Sequence, residues 1–215
     1  MIFDVDDTLL QTHAVAYRKS VLTAQMLGLR PPSAQDFRQV FGRLTFEECL
    51  QVWHPELPPE EYSRVYESLA DAVPYRPVDG ARLALEELSK RGTTIAVLTN
   101  GPGHKTLRKL TALGTGTQPF AFVRHAGNAR CLKPRQEAFK DLVTDYGVDP
   151  HGSVYISDLP DDGIGARAAG FGFLGVLTGL WSATDFRTAG VPDENVLESV
   201  RDIEHGLSSR HAADR

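Results

Sequence analysis

The chain has 215 residues, 41% of them hydrophobic, and its 23 Lys and Arg against 28 Asp and Glu give a formal charge of −5. At about 150 residues per typical domain, that length suits one large domain or a core carrying an insertion. The composition excludes a disordered chain, a collagen and a coiled coil, and the acidic balance weighs against a nucleic-acid binder, which normally carries a basic surplus. Cys49 and Cys131, the only cysteines, offer neither a disulfide framework nor a zinc cluster and suit a reducing compartment. The first seven residues hold Asp4, Asp6 and Asp7, where a secretory signal would be basic and then apolar. The longest apolar stretch, residues 171–181, is too short and too rich in glycine to span a bilayer. The expectation is a cytoplasmic protein without nucleic-acid or membrane partners. No long apolar patch or heptad stands out, so a monomer is expected.

Residues 2–5 are apolar and lead into acids, which predicts a short buried strand. From residue 12 the pattern becomes helical: Val15, Leu22, Met26 and Leu29 recur at helical spacing until Arg30-Pro31-Pro32 ends the run. Further helices are predicted over 34–41, 45–53 and 60–73, the last behind Pro58-Pro59, with no strand signal in this block. Residues 12–75 therefore form an all-helical insertion. Beyond it, Asp79 is placed to cap a helix running to Lys90, with Gly92 as its terminator. Strands follow at 94–98, 120–123, 154–156 and 173–177, alternating with helices over 105–113, 135–146 and from Gly165. Alternation at this spacing predicts an α/β fold with a doubly wound, parallel, five-stranded sheet. The core would comprise residues 1–11 and 76–205, and the polar segment 206–215 reads as a flexible tail.

In an open parallel sheet, ligands bind beyond the carboxyl ends of the strands. The polar residues found there are Asp4, Asp6, Asp7 and Thr8 after the first strand, and Thr99 and Asn100 after the second. Lys133 follows the third, and Ser157, Asp158, Asp161 and Asp162 follow the fourth. Any one of these acids alone reads as a cap or a turn residue; their convergence calls for chemistry. Several carboxylates in one crevice repel each other unless a cation balances them. With no His or Cys in the set, an oxygen-seeking Mg²⁺ fits best. Such an inventory describes phosphoryl transfer, in which an aspartate can be the nucleophile and a second aspartate can handle protons.

The order Asp4-Val5-Asp6-Asp7-Thr8-Leu9, Thr99-Asn100, Lys133-Pro134 and Asp158-Leu159-Pro160-Asp161-Asp162 resembles the haloacid dehalogenase (HAD) superfamily, over about residues 2–177. The likeness is to its phosphatases with a helical cap inserted after the first motif. The resemblance implies a Rossmann-like core and a cap over residues 12–75. It also implies Mg²⁺ and hydrolysis of a small phosphorylated metabolite through an aspartyl phosphate. Asp4 would be nucleophile and metal ligand, and Asp6 the acid/base with its carbonyl on the metal. Thr99 and Asn100 would contact the phosphoryl group, Lys133 would steady it and the nucleophile, and Asp158 and Asp162 would complete the metal site. Arg43, between two cap helices, is a candidate for a substrate phosphate or carboxylate.

Three positions depart from the family pattern: Ser157 stands where glycine is common, Leu159 where a small hydroxyl residue is common, and Asp7 where glycine is more usual. Three decoys carry less weight. Gly101 to Thr106 lacks the glycines of a P-loop, and a receiver domain has another motif order. The glycines from Gly163 follow three aspartates that would repel a pyrophosphate, so they point to close helix packing. A phosphomutase of the β-phosphoglucomutase type is the alternative reading. Its relatives carry a histidine and an arginine where this chain has Ala16 and Thr45. A haloacid dehalogenase has no need of Asp6, and a non-catalytic phosphate-binding module would tolerate loss of a motif residue, yet none is lost.

Overall fold

The computed structural model describes residues 1–42, 44–114, 116 and 119–203. In chain order, β1 (Ile2–Phe3) leads to four helices: α1 (Thr12–Met26), α2 (Ala34–Val40), α3 (Phe46–Trp53) and α4 (Pro59–Ser68). Strands and helices then alternate: α5 (Ala81–Lys90), β2 (Ile95–Leu98), α6 (Gly103–Leu113), β3 (Phe120–Arg124), α7 (Gln136–Tyr146), β4 (Val154–Ser157), α8 (Pro160–Ala168) and β5 (Gly172–Val176). The described chain continues through α9 (Ala183–Thr188) and β6 (Val196–Leu197).

All the strand pairs are parallel, in the order β3-β2-β1-β4-β5-β6. Among the described residues the sheet has six strands, where the sequence predicts five. The addition, β6, is two residues long and pairs Val196 and Leu197 with Gly175 and Val176. Such a short segment has no periodicity to read, and backbone pairing alone defines it. Every residue of β2 is buried, as expected of a strand covered on both faces. Phe139, Tyr155, Phe173 and Phe186 are fully buried and fill one side of the sheet. β1 sits centrally, and the chain builds outward from it in both directions. Its carboxyl end is therefore the topological switch point, where such sheets bind ligands.

Helix starts show where local chemistry prevailed. Ser33 with Asp36, Thr45 with Glu48 and Ser182 with Asp185 form reciprocal capping boxes on α2, α3 and α9. Asp79 does not cap α5. The N-cap is Gly80, while the Asp79 carboxylate pairs with Arg201 at 3.0 Å. The fourth predicted helix, 60–73, is shorter in the structure and ends at Ser68. Its last residue folds back, the Ser68 hydroxyl donating to the Val65 carbonyl at 2.7 Å. α8 begins at Pro160 rather than Gly165, which places Asp161 and Asp162 in its first turn. Proline supplies a prearranged φ there, and the helix dipole favours the two acids.

The chain divides into two compact units, one of Met1–Gln11 with the described residues from Arg76 onward, the other Thr12–Tyr75. In the first, the outgoing and returning segments are tied together. Gln11 N–H donates to the Arg76 carbonyl at 2.8 Å, and Val78 N–H to the Leu9 carbonyl at 2.9 Å. In the second, α1 and α4 are joined by the Tyr62 hydroxyl, which donates to the Ser20 carbonyl at 2.9 Å. Phe37 stacks on Trp53 with ring centroids 5.4 Å apart and meets Tyr17 edge-on at 5.2 Å. Tyr62 is fully buried. Among the described residues no helix is long and apolar enough to cross a membrane.

One contact ties the core to the segment carrying Lys133. A Cβ on Gly165 of α8 would lie 1.9 Å from the Pro134 carbonyl oxygen, so only glycine allows this approach. Gly165→Ala is expected to lower stability by about 1–3 kcal/mol through overpacking, read as a lower denaturant midpoint at unchanged slope. Half-buried Ala112→Gly, in the helix α6, should cost about 1 kcal/mol.

Candidate active site

β1 delivers the first carboxylates to the switch point. Asp4 N–H donates to the Ile156 carbonyl at 2.9 Å, so the backbone is still paired to β4 where the side chain emerges. Asp4 Oδ1 accepts the Val5 N–H at 2.7 Å, and Oδ2 lies 3.1 Å from Lys133 Nζ. The chain then turns tightly, with Leu9 and Leu10 N–H both donating to the Val5 carbonyl at 3.1 and 3.0 Å. Asp7, at φ +51°, takes the left-handed conformation in this turn, and its carbonyl accepts the Thr178 hydroxyl. Aspartate tolerates that conformation better than most side chains, which accounts for its standing where glycine is usual.

Lys133 is the hub. Its side chain is 1% exposed, and Nζ reaches Asp4, Asp162 Oδ2 at 2.6 Å and the Tyr155 hydroxyl at 2.5 Å. Asn100 holds its backbone from both sides: Nδ2 donates to the Lys133 carbonyl at 2.9 Å, and Oδ1 accepts the Lys133 N–H at 3.0 Å. The amide of Asn100, expected at the phosphoryl group, is thus engaged on the Lys133 main chain. Thr99 is buried beside it, with Oγ1 accepting the Gly101 N–H at 3.1 Å.

Asp162 Oδ2 also accepts the Ser157 hydroxyl at 2.9 Å, and the Tyr155 hydroxyl lies 3.3 Å away. Ser157, a departure from the family pattern, therefore braces this carboxylate, and its Oγ accepts the Leu159 N–H at 3.2 Å. Asp158 is fixed by Thr8, whose Oγ1 accepts its N–H at 3.1 Å and donates to its Oδ1 at 3.3 Å. On the far side, a Cβ on Gly179 would lie 2.0 Å from Asp158 Oδ2, so the segment after β5 closes directly over this carboxylate.

Asp6 stands apart from this cluster. Its Oδ1 is paired with the Lys109 ammonium from α6, and its side chain remains 32% exposed. Arg43 lies outside the described residues, as does the 206–215 tail. Lys109, Tyr155 and Gly179 escape a reading of the sequence. The first looks like an ordinary helical lysine, the second like strand core and the third like a turn glycine.

Burial pushes the Asp4 carboxyl up to about 6, against the pull of Lys133 and with help from Asp162 and Asp6. Burial likewise raises Asp158 well above the usual carboxylate range, and Asp4 and Asp7 push the same way. Burial alone would lower Lys133, but Asp162 and Asp4 outweigh it and keep the ammonium charged. Tyr155 is raised by burial and then by Asp4 and Asp162, which keeps it a neutral hydroxyl.

Among the described residues, no three His, Cys, Asp or Glu side chains gather into a metal cage. What the site offers is two buried carboxylates, Asp4 and Asp158, each destabilised as an anion by burial and by neighbouring acids. An oxygen donor set of few carboxylates suits Mg²⁺, which keeps several waters and binds through one or two carboxylates plus substrate oxygens. On donor chemistry and charge, the residues fit that ion.

A sequence profile described as "Haloacid dehalogenase-like hydrolase" matches residues 1–176. A phosphoglycolate phosphatase of Xylella fastidiosa strain Temecula1 is 30% identical over 194 residues, covering 86% of this chain and 82% of that protein. Among solved structures, a Thermotoga maritima protein titled as a candidate β-phosphoglucomutase superposes with a TM-score of 0.80 at 20% identity, over 97% of each chain. A HAD family hydrolase of Deinococcus radiodurans R1, solved with phosphate and sodium, superposes with a TM-score of 0.79 at 20% identity, over 97% of this chain and 94% of that one. These structural likenesses bear on the fold; the sequence matches span its motifs from Asp4 to Asp162. The chain belongs to the haloacid dehalogenase-like hydrolase family, in its phosphatase branch.

Proposed function

We propose that the chain is a Mg²⁺-dependent phosphatase that hydrolyses a small phosphorylated metabolite through an aspartyl phosphate on Asp4. A short phosphorylated acid such as phosphoglycolate is the first substrate to try, because the 30%-identical relative carries that name. The observation behind the reading is the pairing of Asp4 with Lys133 at the switch point of the sheet, with a second, more open aspartate two residues on.

The chemistry follows from the environments. Asp4 Oδ1 is held by the Val5 N–H and Oδ2 faces Lys133, so the nucleophile is oriented before substrate arrives. Its carboxylate attacks phosphorus as the bond to the leaving oxygen breaks, and protonated Asp6 gives its proton to that oxygen. Asp6, now a carboxylate, takes a proton from water as the water attacks the aspartyl phosphate. The acyl phosphate bond breaks, inorganic phosphate leaves and Asp4 is regenerated. Lys133 balances charge on the phosphoryl oxygens and on Asp4, and Thr99 offers a hydroxyl to the same group. The Asp4 and Asp158 carboxylates and the Asp6 carbonyl would hold Mg²⁺, with Asp162 bracing Lys133 behind them. When bound, the ion supplies positive charge that offsets the carboxylates and the developing charge on phosphate.

Two features weigh against the mutase alternative. Ala16 is a buried residue of α1 with no group to guide a proton. The Thr45 side chain caps α3 through Glu48 and carries no charge for a second phosphate.

The reading is tested by phosphate release from a panel of phosphorylated metabolites with Mg²⁺ and with EDTA. Release that requires Mg²⁺ is expected; transfer between hexose phosphate isomers with no net phosphate release would overturn it. Asp4→Asn should abolish turnover, since an amide is no nucleophile, and Asp6→Asn should slow it by about 10²–10⁴-fold. Asn100→Ala should free the Lys133 backbone and cost about 1–3 kcal/mol for the two lost hydrogen bonds, seen as a fall in both melting temperature and kcat/KM. Mg²⁺ should raise the melting temperature of the wild type by mass action, and Asp158→Asn should blunt that rise.

A further inference from the structure

α6 turns a lysine toward the protein interior. Its buried positions are Thr106, Lys109, Leu110 and Leu113, one helical face, and Lys109 occupies it where an apolar residue would pack as well. Burying an ammonium is costly unless an anion meets it. Lys109 Nζ pairs with Asp6 Oδ1, across 103 residues of sequence. The pair is asymmetric: the lysine side chain is 7% exposed and the aspartate 32%. The cation is therefore the more deeply buried partner, and the carboxylate is the one that water reaches.

The two oxygens of Asp6 are thereby distinguished. Oδ1 is held against α6. Oδ2 lies toward the start of the loop after β2: a Cβ on Gly101 would be 3.7 Å from Asp6 Oδ2 and 3.4 Å from Thr99 Oγ1. That is the side on which Thr99 stands ready for the phosphoryl group. A carboxylate anchored by one oxygen presents the other at a fixed place, which is the condition for proton transfer at hydrogen-bond distance.

We propose that Lys109 is a positioning residue for the acid/base Asp6: by holding Oδ1 it fixes Oδ2 as the oxygen that gives a proton to the leaving group and takes one from water. The inference rests on the hydrolytic reading above. It differs from a filling or folding role in its consequences. A lysine that only filled space could be replaced by methionine with little loss of kcat, because the partly exposed Asp6 carboxylate would be solvated in its place.

The test uses the full chain and compares the wild type with Lys109→Met, Lys109→Arg, Asp6→Asn and the double variant Lys109→Met/Asp6→Asn. Phosphate release from the best substrate of the panel and from p-nitrophenyl phosphate is followed with Mg²⁺, and each melting temperature is recorded. Lys109→Met should lower kcat by about 10–100-fold, a part of what the acid/base itself supplies, while KM moves by less than about threefold because the residue does not touch substrate. Lys109→Arg, which can still hold Oδ1, should recover most of the loss. The double variant should be no slower than Asp6→Asn alone, since residues acting as one unit are not additive. The proposal is overturned if Lys109→Met keeps kcat within about twofold of wild type, if arginine is no better than methionine, or if the two losses multiply. Should Lys109→Met fail to fold, Lys109→Gln takes its place in the same comparison. A folded wild type that releases no phosphate from any compound would instead bring down the hydrolytic reading, and this role with it.

Discussion

The ammonium of Lys133 is the charge around which the core unit is arranged. It is almost completely removed from water, a state tolerated only where anions and hydrogen-bond acceptors surround it. Asp4 arrives from the end of β1, Tyr155 from within β4, Asp162 from the first turn of α8, and Asn100 clamps the lysine backbone from the end of β2. Three stretches far apart in sequence, at residues 4, 100 and 155–162, thus meet on one lysine. Removing one partner of such a buried pair costs about 3–5 kcal/mol, because the other is left uncompensated. The arrangement is therefore both a structural knot and a prepared site.

Charge arithmetic shows why that site would accept more than it holds. Asp4, Asp158 and Asp162 are buried carboxylates, and Lys133 is the cation whose charge pulls against the rise at Asp4 and Asp158. The two carboxyls are raised by burial and by neighbouring acids, so the cluster is short of positive charge as it stands. A divalent cation followed by a phosphate ester would restore the balance in a region of low dielectric, where each charge counts for more than in water. The sheet makes this possible: a parallel arrangement with β1 in the centre brings the carboxyl ends of β1, β2 and β4 to one rim.

Much of this was legible in the sequence, for reasons that can be named. The acids follow apolar runs, so their place at strand ends could be read without knowing any contact, whereas Lys133 lies nine residues beyond the end of β3 at Arg124 and was legible only from the order of the motifs. The helix α1 was legible because Val15, Leu22, Met26 and Leu29 recur at helical spacing, yet the face it buries carries Val15 with Lys19, Ser20 and Thr23 and leaves Met26 exposed. What escaped depended on distance in sequence. Lys109 sits in a helix at a spacing that also suits a solvated lysine, and only the fold brings it to Asp6. Asn100 reads as a phosphate contact because it follows Thr99, yet its amide atoms meet the Lys133 backbone, a partner no local pattern announces. Asp79 reads as a cap because capping chemistry is local, whereas Gly80 takes that position and Asp79 is drawn to Arg201 from beyond β6. β6 exists only because β5 offers an edge to pair with.

Asp4 and Asp6 are two residues apart and chemically identical, so the separate roles proposed for them must come from their surroundings. Asp4 is buried, with each oxygen assigned, one to the Val5 N–H and one facing Lys133. A group so fixed cannot swing to collect a proton from bulk water, but it is well placed to attack a phosphorus brought to it. Asp6 is partly open to solvent, and its lysine is the more buried partner of the pair. The proton carrier proposed here needs that openness, since the water that gives up its proton in the second half of a turnover must reach it. The same pairing of aspartate with lysine thus suits different tasks at the two positions, decided by how much water reaches each carboxylate.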